Sequence, residues 1–200
     1  MNTPSSITIN GITLTGPQAP RQNEVLTADV LSFLATLHRE FGPRVEALDA
    51  VDGASDEALG EAGDVAASWH ALIEKQLSEP PCTFITPRGL ARQEGRILFE
   101  GQPLSAGIVD FGLHVYRNAR TLMADGRAPF ISLLGLESEG ELQLWQDLFI
   151  RAEELAGLPD GTIRAIHLGP GEPDLDDDED GDASSAAVLT GGGRRMSAAA

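Results

Sequence analysis

Between residues 129 and 168 the hydrophobic period of the chain switches twice. Pro129 to Leu136 is a short, mostly apolar run, the pattern of a strand buried on both faces. Glu141 to Ala156 then carries Leu144, Trp145, Leu148, Phe149 and Ala152 at three- and four-residue spacing, one face of an amphipathic helix. Gly157 and Pro159 punctuate its end, and Thr162 to Leu168 turns strand-like again. A strand, a helix and a strand in this order predict parallel strands, because only a long crossover lets a second strand start in the same direction.

The pattern extends upstream. Cys82 to Ile85 reads as a buried strand ending at Thr86-Pro87-Arg88-Gly89, and Arg96 to Gly101 as a strand entering a turn. Ile108 to Leu113 is a second apolar run, with helical periodicity resuming through Asn118, Leu122 and Met123. Nearer the start, residues 6–15 alternate around Asn10-Gly11, a hairpin signal. Thr27 suits the N-cap of a helix of roughly 15 residues with Val30, Leu31, Leu34, Leu37 and His38 on one side. Pro43 predicts a break in it, followed by a weaker helical pattern at Val45, Ala47 and Leu48. Residues 50–65 are rich in Gly, Ala and acid and read as a flexible connection; Trp69, Leu72, Ile73 and Leu77 mark a short helix stopped by Pro80-Pro81. The expected division is residues 1–50, a hairpin and helical segment; 51–81, a linker and short helix; 82–168, the α/β region; and 169–200, a disordered acidic tail.

Charge narrows the partners. The formal net charge is −17, from 31 acidic and 14 basic side chains, and Asp174, Asp176, Asp177, Asp178, Glu179, Asp180 and Asp182 concentrate much of it. Such a field repels nucleic acid and anionic membranes, so neither is an expected partner. The charge run reads as a solvated tail, because a hard-cation site needs converging ligands. Cys82 is the single cysteine, which leaves no intrachain disulfide and reads as a core residue in its apolar run. No signal peptide and no membrane-length apolar stretch is visible, so a cytoplasmic protein is expected. The four histidines, His38, His70, His114 and His167, share no metal-ligand spacing and read as ordinary surface or half-buried residues. No P-loop, Rossmann glycine pattern or nucleophile elbow is present.

Several segments in order carry a family resemblance. Glu24 to Phe41, preceded by Gly16-Pro17 and followed by Pro43-Arg44, resembles the opening helix of bacterial malate synthases. Thr86-Pro-Arg-Gly-Leu90 resembles that family's Arg-Pro-Arg-Gly-Trp strand end. Val109-Asp-Phe-Gly-Leu113 with Arg117-Asn-Ala-Arg120, then Leu136-Glu-Ser138 with Leu144-Trp145 and Asp147, and finally Gly157-Leu-Pro with Gly161-Thr-Ile-Arg-Ala165, continue the match.

The resemblance implies an α/β fold, here an incomplete (β/α)8 TIM-barrel-like fragment with an N-terminal helical segment. It implies the family reaction, in which acetyl-CoA, glyoxylate and water give malate and CoA. That chemistry uses a carboxylate base, Mg²⁺ held by carboxylates, and an arginine for the enolate and the substrate carboxylate. Arg88 falls on the active-site arginine, with Thr86 and Leu90 where the family has Arg and Trp. The family's metal-binding Glu falls on Pro170, and Glu172, two residues on, is the candidate metal ligand by a shifted register. The second metal carboxylate and the base have no counterpart in the motifs matched. Glu137 matches a family acidic residue with a structural role at a strand end, and Asp110 and Asn118 suit backbone groups at element ends. Two functions follow as expectations: a malate synthase-like acyltransferase impaired in its carboxylates, or a non-catalytic binding or regulatory module that pairs with a second copy or a larger homologue.

Overall fold

The computed structural model describes residues 8–52, 65–134, 136, 138–168 and 187–190. Glu137, Pro170, Glu172, the Asp174–Asp182 run and residues 53–64 of the expected linker lie outside them.

Strands β1 (Thr8–Ile9) and β2 (Ile12–Leu14) form the expected hairpin. Asn10 (φ 49°) and Gly11 (φ 83°) supply two successive left-handed residues, which is what a two-residue turn matching strand twist demands. After the short helix α1 (Gln22–Val25), Thr27 Oγ1 accepts the Val30 N–H at 3.4 Å and opens α2 (Ala28–Asp52). The helix does not break at Pro43. That residue lies on the exposed face, so the carbonyl it leaves unbonded is next to water, while Phe41 and Val45 on the other face stay buried. Helix α3 (Val65–Gln76) follows.

Strand β3 (Phe84–Ile85) is shorter than the Cys82–Ile85 run predicts. It lies at a sheet edge, where Phe84 is 47% exposed, and Cys82 is accordingly half-buried, its Sγ donating to the Phe84 carbonyl at 2.8 Å. Strands β4 (Gln93–Phe99) and β5 (Gln102–Ser105) form a hairpin that leads directly into α4 (Ala106–Ala124). The Ile108–Leu113 run is therefore helical. Then come β6 (Phe130–Leu134), α5 (Glu139–Ala156) and β7 (Arg164–Leu168), as the period switches predict. Ser138 caps α5 by accepting the Glu141 N–H, and Gly157 ends it at φ 63°.

Two sheets result. One is antiparallel in the order β1-β2-β4-β5; the other is ordered β3-β6-β7-β8, with β3, β6 and β7 parallel. Thus β3-α4-β6-α5-β7 is a run of two crossover units, with the β4–β5 hairpin inserted in the first. The chain is mixed α/β, and among the described residues the parallel strands form an open sheet, not a closed barrel. Part of the expected disordered tail is a strand: β8 (Ala187–Thr190) pairs antiparallel with β7. Its sequence, Ala-Val-Leu-Thr, suits a strand in a stretch otherwise acidic or glycine-rich, and without it β7 would expose an edge of unpaired backbone groups.

The core has two parts with α4 between them. Under the parallel sheet, Phe111, Trp145 and Phe149 pack against one another, edge-on or tilted, at centroid distances of 5.3–5.9 Å. Under the antiparallel sheet, Ile12, Ile97 and Leu104 meet Leu31, Leu34, Val109 and Leu113. Each such side chain contributes about 1.5–3 kcal/mol by leaving water. No helix among the described residues is long and apolar enough to cross a membrane.

Candidate functional site

The site forms where β3 runs out. Residues 86–89 leave the C-terminal end of this strand, the end at which parallel α/β folds place their ligands. The first turn of α4 fixes the path of this loop. A Cβ on Gly107 would lie 2.7 Å from the Arg88 carbonyl oxygen, so the absence of a side chain there lets loop and helix touch.

One turn further along α4, Asp110 faces Arg88 and holds it three times. Oδ2 accepts the Arg88 backbone N–H at 3.0 Å and its Nε–H at 2.9 Å, while Oδ1 accepts from Nη2 at 2.8 Å. From β4, Glu94 accepts from Arg88 Nη1 at 2.9 Å through Oε2 and from the Arg96 backbone N–H at 3.0 Å through Oε1. Both carboxylates are mostly buried, at 8% side-chain exposure for Glu94 and 13% for Asp110, while the Arg88 side chain keeps 34%. Burial works against the Arg88 charge, but the hydrogen bonds and attraction from Asp110 and Glu94 outweigh it and raise its pKa above the ordinary arginine value.

A cleft of about 240 Å³ opens beside this cluster. One wall is α3, with Ala71, Leu72, Lys75 and Gln76; the other holds Ile85, Thr86, Arg88 and Asp110. Gln76 is only 5% exposed and its Oε1 has no hydrogen-bond partner among the described residues. Arg117 fixes α3 here, donating from Nε to the Gln76 carbonyl at 3.2 Å and from Nη1 to the Glu24 carbonyl at 2.6 Å.

Asp110, His114 and Asn118 follow one another at four-residue spacing on one face of α4. The Asn118 amide and His114 Nδ1 are 3.2 Å apart. His114 is fully buried, not the surface or half-buried residue expected, because α4 is packed on both sides. Burial, and then the positive charge of Lys75, push its ring down to about 4, against a smaller opposing pull from the Thr83 backbone.

Of the sequence candidates, Arg88 is at the site and Glu172 lies outside the described residues. Asp110 does bond a backbone N–H at an element end, as expected, and holds the guanidinium as well. Lys75, Gln76 and Glu94 were not legible as site residues: no local spacing links them to Arg88. For Mg²⁺ the described residues do not fit. They contain no group of three His, Cys, Asp or Glu placed to hold an ion, and the two carboxylates nearest the cleft both face a guanidinium that already supplies the cation.

Two family models match the chain: "Malate synthase, N-terminal domain" over residues 10–48 and "Malate synthase, TIM barrel domain" over residues 82–169. The malate synthase of Myxococcus xanthus is 40% identical over 82 residues, covering 41% of this chain and 15% of that protein. The glyoxysomal malate synthase of Brassica napus is 30% identical over 177 residues, 81% of this chain and 30% of the relative. That of Streptomyces clavuligerus is 28% identical over 238 aligned positions, 76% of this chain and 44% of the relative. The chain thus spans between 15% and 44% of the length of these relatives. With both domain models matched in order, and with Arg88, Asp110 and the β6-α5-β7 unit inside the matched segments, the chain belongs to the malate synthase family.

Proposed function

We propose that this chain binds a small 2-oxo acid of the glyoxylate type in the cleft beside Arg88, as a recognition module of malate synthase type. The observation that carries the reading is the fixed guanidinium at the end of β3. Of its five N–H donors, three are committed to Asp110 and Glu94, which lock its plane, and two remain on a side chain one third exposed at the cleft. A planar donor group held in one orientation recognises a carboxylate with little loss of side-chain entropy.

Glyoxylate and acetyl-CoA are the substrates that the family membership brings forward. The condensation itself also needs a carboxylate free to take a methyl proton, and the described residues lining the cleft offer only Asp110, which is bound to Arg88. Recognition without condensation is therefore the reading adopted.

Its test is thermal unfolding with and without glyoxylate. At a ligand concentration a hundred times Kd, binding adds about 2.7 kcal/mol, which is roughly 5–10 °C for a domain of this size. Arg88→Ala abolishes the glyoxylate-dependent rise, whatever it does to the unliganded midpoint. A rise of equal size in Arg88→Ala refutes the site. Thiol release from acetyl-CoA with glyoxylate and Mg²⁺ is expected at background level; sustained release from folded protein would replace this reading with the full family reaction.

A further inference from the structure

We infer that Lys75, on helix α3, is the residue that anchors the charge of an anionic ligand in the cleft. This inference rests on the proposed 2-oxo acid function and identifies a residue of its site that neither family model covers, since α3 lies between the matched segments 10–48 and 82–169.

Arg88 is bracketed by Asp110 and Glu94, so the cluster of three carries one net negative charge. It orients donors well, yet its field does not attract a carboxylate. Another cation must balance the incoming charge. Lys75 is the other basic residue that lines the cleft, and it makes no ion pair with any described residue. It sits in the last turn of α3, its exposed side chain free to reorient.

The neighbouring Gln76 points the same way. It lines the same cleft, it is 5% exposed, and its Oε1 is unsatisfied among the described residues. A buried amide oxygen without a partner is costly, and a ligand group that donates a hydrogen bond to it relieves the cost. Lysine charge, glutamine amide and the two free Arg88 donors therefore converge on one space, the first two from α3 and the last from the β3 loop.

The test is calorimetric titration of the full chain with glyoxylate at 50 and 500 mM salt. Wild type is expected to bind, and to bind about two- to threefold more weakly at high salt through this contact, because an exposed lysine is screened whereas the paired arginine is not attracting the anion. Lys75→Gln is expected to weaken binding about two- to fivefold at low salt and to remove this lysine's share of the salt dependence. Lys75→Arg is expected to retain both. Should Lys75→Gln bind as tightly as wild type while Arg88→Ala does not, this inference fails and the proposed function stands. An equal loss of affinity on Lys75→Gln at both salt concentrations overturns it as well. If wild type does not bind glyoxylate at all, the proposed function fails, and this inference with it.

Discussion

Glu153 tests how the turn into β7 is held. It is 1% exposed on α5, and its carboxylate accepts the Ile163 N–H through Oε1 at 2.7 Å and the Gly161 N–H through Oε2 at 2.9 Å. The loop that starts β7 is thereby tied to the helix that precedes it. Glu153→Gln keeps the shape but exchanges one acceptor for a donor, which then meets a backbone N–H. Ile163 is fully buried and Gly161 half-exposed, so the amide oxygen stays with Ile163 and Gly161 turns to water. One lost hydrogen bond at a half-exposed donor costs about 1 kcal/mol, at the low end of the range for unsatisfied groups.

The pH dependence gives a second handle on the same residue. Burial pushes the Glu153 carboxyl above its ordinary range, against the hydrogen bonds from Ile163 and Gly161. A raised folded-state pKa means that the folded protein binds the proton more tightly than the unfolded one. Its contribution is complete below the unfolded value and is lost as pH rises through the folded value. The glutamine has no such term, so its deficit relative to wild type is larger at pH 5 than at pH 8. Urea unfolding at those two pH values, both above the sequence pI of about 4.4, measures the difference. With m of about 1–3 kcal/mol per molar, a loss of 1 kcal/mol moves the midpoint by about 0.3–1 M. An unchanged midpoint at pH 5, or a deficit that grows toward pH 8, would refute the reasoning.

Two further outcomes follow from the site and its helix. Gly107→Ala drives a Cβ to within 2.7 Å of the Arg88 carbonyl and 3.0 Å of Leu90, so the loop must shift; glyoxylate-dependent thermal stabilisation is expected to fall at least tenfold in apparent affinity while circular dichroism stays that of a folded chain. His114, depressed to about 4 in the folded state from an ordinary 6.5, favours folding while neutral, and that contribution is lost as pH falls from 6.5 toward 4. The full difference is worth about 3 kcal/mol, and His114→Gln is expected to flatten the acid limb of the stability profile; an equally steep limb in the variant would contradict the assignment.

How far the fold could be read in advance depended on how local its causes were. The hairpin at Asn10-Gly11 and the β6-α5-β7 unit were legible because each is written in its own few residues: a turn that needs φ above zero, a strand period, a one-sided helix, a terminal glycine. Helix α4 was legible only in its second half. Its polar stripe of Asp110, His114 and Asn118 is itself buried or half-buried, and Ala106 to Val115 is buried at every position but Asp110, so the first half reads as an apolar run without an exposed face. Pro43 misled because a local break signal was outweighed by packing on the buried side of α2.

The sequence by itself determined the family, the alternation of strand and helix from 129 to 168, and the place of Arg88 at the end of a strand. Only the tertiary structure decided what surrounds that arginine. Asp110 is 22 residues away, Glu94 belongs to an inserted hairpin, and Lys75 comes from a helix that the family motifs do not include. No periodicity or spacing records such pairings, because they arise where separate elements pack together, and a charge there is set by its neighbours in space.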